Sequence, residues 1–182
     1  MKKMTVFLTT LFAGLSLQAG IYLEPYAGYN IGTLSGTVSG VKIDNAAKGV
    51  VIGARAGMSL PLFYVAADYS ISSGLKWEIP GSGADASFQR LGATLGFTAL
   101  PMFDIYGGYV FSSKLKVDSV GYPDNFSGSG FKVGVGLTML PFISINAEYL
   151  TLSYGNETVG SATYNDFKET AAVVSVSLPL DL

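Results

Sequence analysis

The sequence of 182 residues contains no cysteine and no histidine. The first absence excludes a disulfide scaffold, and the two together exclude a Cys/His metal centre. Any mechanism that needs an imidazole is excluded as well. Charge is scarce: Asp, Glu, Lys and Arg make up only 13% of the chain, well below the usual share. Eleven bases against 13 acids disfavour a basic nucleic-acid binder. Long apolar runs are missing too. Beyond residue 19 no stretch reaches 18 consecutive apolar residues, so no transmembrane helix is expected there.

Glycine and aromatic residues are abundant, with 23 Gly, 11 Tyr and 11 Phe, and the mean hydropathy is +0.40. So many aromatics with so few charges argue against disorder. The N-terminus carries Lys2 and Lys3, then an apolar run to about Leu17, then Gln18-Ala19-Gly20. That is the pattern of a secretory signal peptide cut after Ala19, and the run is too short for a membrane span. The expected organisation is a removed signal peptide over 1–19 and one domain over 20–182. The mature chain then holds nine bases against 13 acids.

The rest reads in twos. Apolar residues alternate with polar or very small ones, which is the period of a β-strand. Strand-sized segments fall at about 21–31, 49–60, 63–72, 87–99, 103–116, 129–140, 143–154 and 169–181. Their number is even, and their lengths suit tilted membrane strands. Three connections are short and alike: Leu60-Pro61-Leu62, Leu100-Pro101-Met102 and Leu140-Pro141-Phe142. Four are long and polar, at about 32–48, 73–86, 117–128 and 155–168. Short and long alternate, so an antiparallel meander places all short turns at one rim and all long loops at the other. Tyr29, Tyr69, Tyr109 and Tyr149 repeat with the same spacing as the Leu-Pro pairs, one hairpin per repeat. The second segment has the opposite parity to the fourth relative to its Leu-Pro, which implies a bulge or a different turn there.

One face of every segment is apolar. The other carries Gly, Ser, Thr and Tyr together with Glu24, Arg55, Asp68, Arg90, Asp104, Lys132 and Glu148. A soluble calyx would turn the apolar face inward and leave the glycines on an exposed sheet surface, where they only weaken strands. A membrane barrel turns the apolar face to lipid and places the glycines in a narrow interior, where bulky Tyr and Arg side chains lie over them. The expectation is therefore all-β: an eight-stranded antiparallel up-and-down transmembrane barrel with short periplasmic turns and longer outer loops. The seven interior charges are expected to form a paired polar network, because unpaired charges in a confined space are costly. Such a network either lines a channel constriction or plugs the barrel. With eight strands the plug is the expected form.

No phosphate-binding glycine motif sits between a strand and a helix, no catalytic residue is assigned, and no cofactor or metal is expected. Asp68 and Asp104 are read as barrel charges and not as an acid–base pair. In the loops Trp77, Tyr122 and Phe126 are the candidate partner contacts, the alternative being that they lean on the barrel rim or the outer leaflet.

With eight alternating segments, alternating connections and a final segment Val174-x-Val176-x-Leu178-x-Leu180-x-Leu182, the mature chain resembles the small outer-membrane barrels of Gram-negative bacteria, the OmpA/OmpX-like, porin-like group. The resemblance implies an integral place in the cell outer membrane, contact with outer-membrane lipid, and recognition of the last strand by the outer-membrane assembly machinery. It also implies a structural or surface-interaction role through the outer loops, with an extracellular or host-surface ligand. Narrow transport of small solutes or apolar molecules is the alternative. Barrel enzymes of this size that modify lipid A use histidines, which have no counterpart here.

Overall fold

The computed structural model describes residues 19–79, 82–100, 102–118, 126–140, 142–159 and 162–182; residues 1–18 of the expected signal peptide and Tyr122 lie outside them. The described strands are β1 (Gly20–Val38), β2 (Val41–Ser59), β3 (Phe63–Ile79), β4 (Ser82–Leu100), β5 (Phe103–Asp118), β6 (Phe126–Leu140), β7 (Ile143–Tyr154), β8 (Glu157–Val159), β9 (Ala162–Ser177) and β10 (Leu180–Asp181). Each strand from β1 to β6 pairs antiparallel with the next, and β7 pairs with β9. The sheet closes where β9 and its continuation β10 pair with β1. Among the described residues β8 pairs only with β9. The barrel thus has eight staves, the last being β9 plus β10 around Leu178-Pro179.

Alternation along the staves is strict through the expected membrane segment. In β1, Ile21, Leu23, Tyr29 and Ile31 are exposed, whereas Tyr22, Glu24, Tyr26 and Asn30 are buried. The four repeated tyrosines, Tyr29, Tyr69, Tyr109 and Tyr149, all point outward, on β1, β3, β5 and β7. They mark the outer edge of an apolar band. Phe97, Phe103 and Phe142, also exposed, mark the inner edge near the short turns. Aromatic girdles at both interfaces are what a lipid-facing barrel surface presents.

The staves are longer than expected. β1, β2 and β4 each run 19 residues, about twice what a tilted strand needs to cross the bilayer. Most of the segment 32–48 is therefore ladder and not loop. It turns at Ser39-Gly40, both with positive φ as a type I′ hairpin turn requires. Most of 73–86 also belongs to β3 and β4, and Phe126 opens β6. The barrel wall continues well beyond the membrane on its outer side.

The parity mismatch has a structural cause, though not on the second segment. β2 and β3 pair without a break from Val51↔Ser72 to Ser59↔Tyr64. The register shifts lie instead at the inner ends of β4, between Phe97 and Leu100, and of β6, between Thr138 and Leu140. A further shift in β5 lies between Val110 and Ser113. It makes Ser113 the buried residue, where simple alternation had pointed Ser112 inward.

Glycines give the interior its room. Tyr26 pairs directly across the ladder with Gly53, Tyr64 with Gly96 and Tyr106 with Gly134. In each pair the tyrosine ring occupies the space a β-carbon on the glycine would fill.

Candidate functional site

The interior is built in layers. Nearest the periplasm is an open vestibule of about 360 Å³, lined in part by Tyr22, Glu24, Tyr64, Asp104 and Ser144. Its floor is the stacked pair Tyr22–Tyr64, with ring centroids 4.3 Å apart, beside the buried Tyr106.

Above the tyrosines lies an ionic layer centred on Arg55. The ladder register sets Glu24 opposite Arg55 and Arg55 opposite Asp68. Arg55 Nη1 donates to Glu24 Oε2 at 2.8 Å, Nε to Asp68 Oδ2 at 3.1 Å and Nη2 to Glu148 Oε2 at 3.3 Å. The guanidinium also lies over the Tyr106 ring at 4.4 Å and near the Tyr26 ring at 5.1 Å, so its faces are covered as well as its edge. Lys132 Nζ reaches Glu148 Oε2 at 2.9 Å and also donates to Asp68. Tyr22 Oη donates to Glu24 at 2.6 Å and Tyr26 Oη to Asp68 at 2.9 Å. Two cations thus face three carboxylates, and tyrosine hydroxyls supply the remaining donors. A buried network is tolerable only when its lone pairs are satisfied in this way.

Five of the seven expected interior charges therefore come together: Glu24, Arg55, Asp68, Lys132 and Glu148. The other two are inside the barrel but elsewhere. Asp104 lies over Gly136 in the vestibule, and no ion pair of its carboxylate occurs among the described residues. Arg90 forms a second, higher cluster with Glu169, whose other oxygen accepts from Tyr154 Oη at 2.6 Å. Tyr154 is in turn 3.0 Å from Ser113 Oγ. The Arg90 guanidinium sits 3.5 Å above the Phe88 ring. Sequence reasoning omitted Glu169 from the network although its parity already placed it on the inward face.

The outermost layer is apolar, which corrects the expectation of a polar interior throughout. Val51, Val110, Leu150 and Val173 lie above the Arg55 layer, and Leu34, Phe88, Leu115, Phe126, Leu152 and Phe167 fill the extension beyond. Phe126, a candidate outward contact from the sequence, is fully buried, its ring 5.2 Å from that of Phe167. Trp77 lies in β3, in register with Ala47 and Ala84. The void between the ionic and apolar layers is about 20 Å³, room for a single water. Among the described residues no group of three or more acidic side chains is placed to hold a metal ion.

This architecture matches known proteins. Residues 5–178 match the family model of the outer membrane protein beta-barrel domain. The crystal structure of Neisserial surface protein A superposes with a TM-score of 0.55 at 20% identity, covering 88% of this chain and 97% of that one. Ail, the attachment invasion locus protein of Yersinia pestis, in complex with the heparin analogue sucrose octasulfate, gives 0.57 at 15% identity, covering 88% and 99%. The solid-state NMR structure of AlkL in lipid bilayers gives 0.52 at 11%, covering 90% and 91%. At these identities the likeness is one of fold. No curated protein matches the sequence.

Proposed function

The chain belongs to the outer membrane protein β-barrel family, and on that premise we propose that it is a sealed barrel with a structural and surface-interaction role carried by its outer extension. Its place is integral to the outer membrane. The observation that carries the reading is the layered interior. A solute entering from the vestibule meets the Tyr22–Tyr64 stack, then the Arg55 ion network, then packed apolar side chains. An ion crossing the barrel would have to break the buried pairs and then enter an apolar layer, both costly steps. An extension that holds its own apolar core is, by contrast, a firm platform for outward residues. The fold likeness to an attachment protein crystallised with a heparin analogue supports the same reading. The role needs no catalytic group, and none is assigned.

Single-channel recording of the refolded mature chain in a planar bilayer tests the proposal. The expected result is a correctly inserted, electrically silent barrel. Discrete, reproducible steps altered by Arg90→Gln or Asp104→Asn would overturn it in favour of narrow transport.

A further inference from the structure

The inner half of the barrel carries more negative charge than its own bases balance. From the ionic layer down to the short turns, Glu24, Asp68, Asp104 and Glu148 face only Arg55 and Lys132. Asp181 adds a further acid at the mouth of the vestibule. The other bases of the mature chain, Arg90 and the lysines at 42, 48, 76, 114, 116 and 168, all belong to strand segments further out. Carboxylates gathered in a confined space without a counter-ion are costly.

One of these acids faces a second unmatched oxygen. The ladder sets Asp104, Gly136 and Asn146 in one row across β5, β6 and β7. Gly136 has no side chain, so its two neighbours lean over it from either side. The space that a β-carbon at 136 would fill is flanked by Asp104 Oδ1 and Asn146 Oδ1. Asn146 is only 1% exposed; its Nδ2 donates to Ser177 Oγ at 2.8 Å, and its Oδ1 has no hydrogen-bond partner. Two acceptors therefore converge with no donor between them. The hydroxyl of Tyr64, which lines the same vestibule, is also buried without a partner.

The chemistry of these groups selects among cations. A calcium ion takes about six or more oxygens, and among the described residues no group of three or more acidic side chains is placed to hold a metal ion. A primary ammonium carries three N–H donors and is satisfied by a carboxylate, an amide oxygen and one more acceptor. Such hydrogen bonds are charge-assisted and strong. The stacked rings of Tyr22 and Tyr64, with Met102, supply an apolar wall for the rest of the molecule. The volume of about 360 Å³ lies in the range of small-molecule sites.

We infer that the vestibule binds a small primary organic ammonium from the side of the short turns. The ammonium sits between Asp104 Oδ1 and Asn146 Oδ1, and its apolar body lies along Tyr22, Tyr64 and Met102. Binding supplies the positive charge that the inner half lacks. The site fills and empties through the open mouth, so the inference is separate from the role of the outer extension and holds whether or not the barrel conducts.

Isothermal titration calorimetry of the refolded mature chain in zwitterionic micelles tests it, with empty micelles as the blank. The probes are 2-phenylethylammonium and its neutral counterpart 2-phenylethanol, and folding of each variant is checked by heat-modifiable gel mobility. The ammonium is expected to bind one-to-one and about tenfold or more tighter than the alcohol. Asp104→Asn should weaken it about tenfold or more. Gly136→Ala fills the gap between the two oxygens and should abolish binding in the folded barrel. Asn146→Asp should tighten binding severalfold, because a second carboxylate then faces the ammonium while Ser177 can still donate to the other oxygen. Equal binding of the two probes, or an unchanged Asp104→Asn variant, would overturn the inference. Unchanged or weaker binding in Asn146→Asp would show that the amide presents its NH2 to Asp104 and would overturn the two-oxygen seat. Displacement of the probe by millimolar magnesium would overturn it in favour of an inorganic cation site.

Discussion

Arg55 and Glu24 face each other across the β1–β2 ladder, with Arg55 Nη1 2.8 Å from Glu24 Oε2 and both side chains buried. The same guanidinium also binds Asp68 and Glu148, so one residue ties three staves, β1, β3 and β7, to β2. Buried ion pairs are weak evidence for stability against an apolar alternative, but removing one partner leaves a charge stranded.

Arg55→Met leaves Asp68 and Glu148 with Lys132 as their cation and strands Glu24, whose remaining partner is the Tyr22 hydroxyl. The expected cost is about 3–5 kcal/mol, read as a lowered urea midpoint for the barrel refolded in micelles. Arg55→Lys keeps the charge and loses the fork, and should fall between the two. A midpoint unchanged in Arg55→Met would mean that the network contributes nothing the apolar side chain cannot replace.

The Tyr106–Gly134 pair makes a separate prediction. A β-carbon at position 134 would overlap the Tyr106 ring, so Gly134→Ala should destabilise by about 1–3 kcal/mol. Tyr106→Ala removes the obstacle. The double variant should then be less destabilised than the sum of the two single ones, a coupling that chemical unfolding measures directly. Strict additivity would show that the ring has room to move aside.

Arg90 and Glu169 sit among apolar neighbours, and the Arg90 Nε lacks a partner. Glu169→Gln should be clearly destabilising. The double replacement Arg90→Met/Glu169→Leu should restore the unfolding midpoint to the parental value or above, as for other buried pairs exchanged for packed apolar groups.

Ser39 and Pro61 test the orientation. Since the chain has no cysteine, Ser39→Cys should react with a membrane-impermeant maleimide on intact cells. Pro61→Cys should react only after the outer membrane is permeabilised. The reverse pattern would invert the barrel.

The eight staves were legible in the sequence because lipid outside and a crowded interior impose the same two-residue rhythm on every crossing. The charges were legible for the same reason: Glu24, Arg55, Asp68, Lys132 and Glu148 share one parity class and converge. The extension was not legible, because the rhythm inverts at the membrane edge. Below it the outward residues are apolar, as Val50 and Val174 are. Above it they are Lys48 and Lys168, and the inward ones are Leu34 and Phe167. Each segment then looks like a polar loop with scattered apolar residues. Only the inward spacing of Leu34, Leu115, Phe126 and Phe167, or the Ser39-Gly40 turn signal, hints at continued ladder. The β5 bulge carried no signal in composition, and it moved Ser113 into the core in place of Ser112.

The four outward tyrosines stand on alternate staves, so they lie about a quarter turn apart around the barrel. Each ring prefers the boundary between acyl chains and headgroups. Four such preferences at one level fix both how deep the cylinder rides and how upright it stands, since tilting lifts one ring as it sinks the opposite one. A helix meets a bilayer that is too thin by leaning. This barrel is held against leaning, so the lipid around it must stretch or thin to match. The distance from the ring of Tyr29, Tyr69, Tyr109 and Tyr149 to the inner edge at Phe97, Phe103 and Phe142 therefore acts on the membrane as much as on the protein: it sets the thickness of the lipid annulus around the molecule.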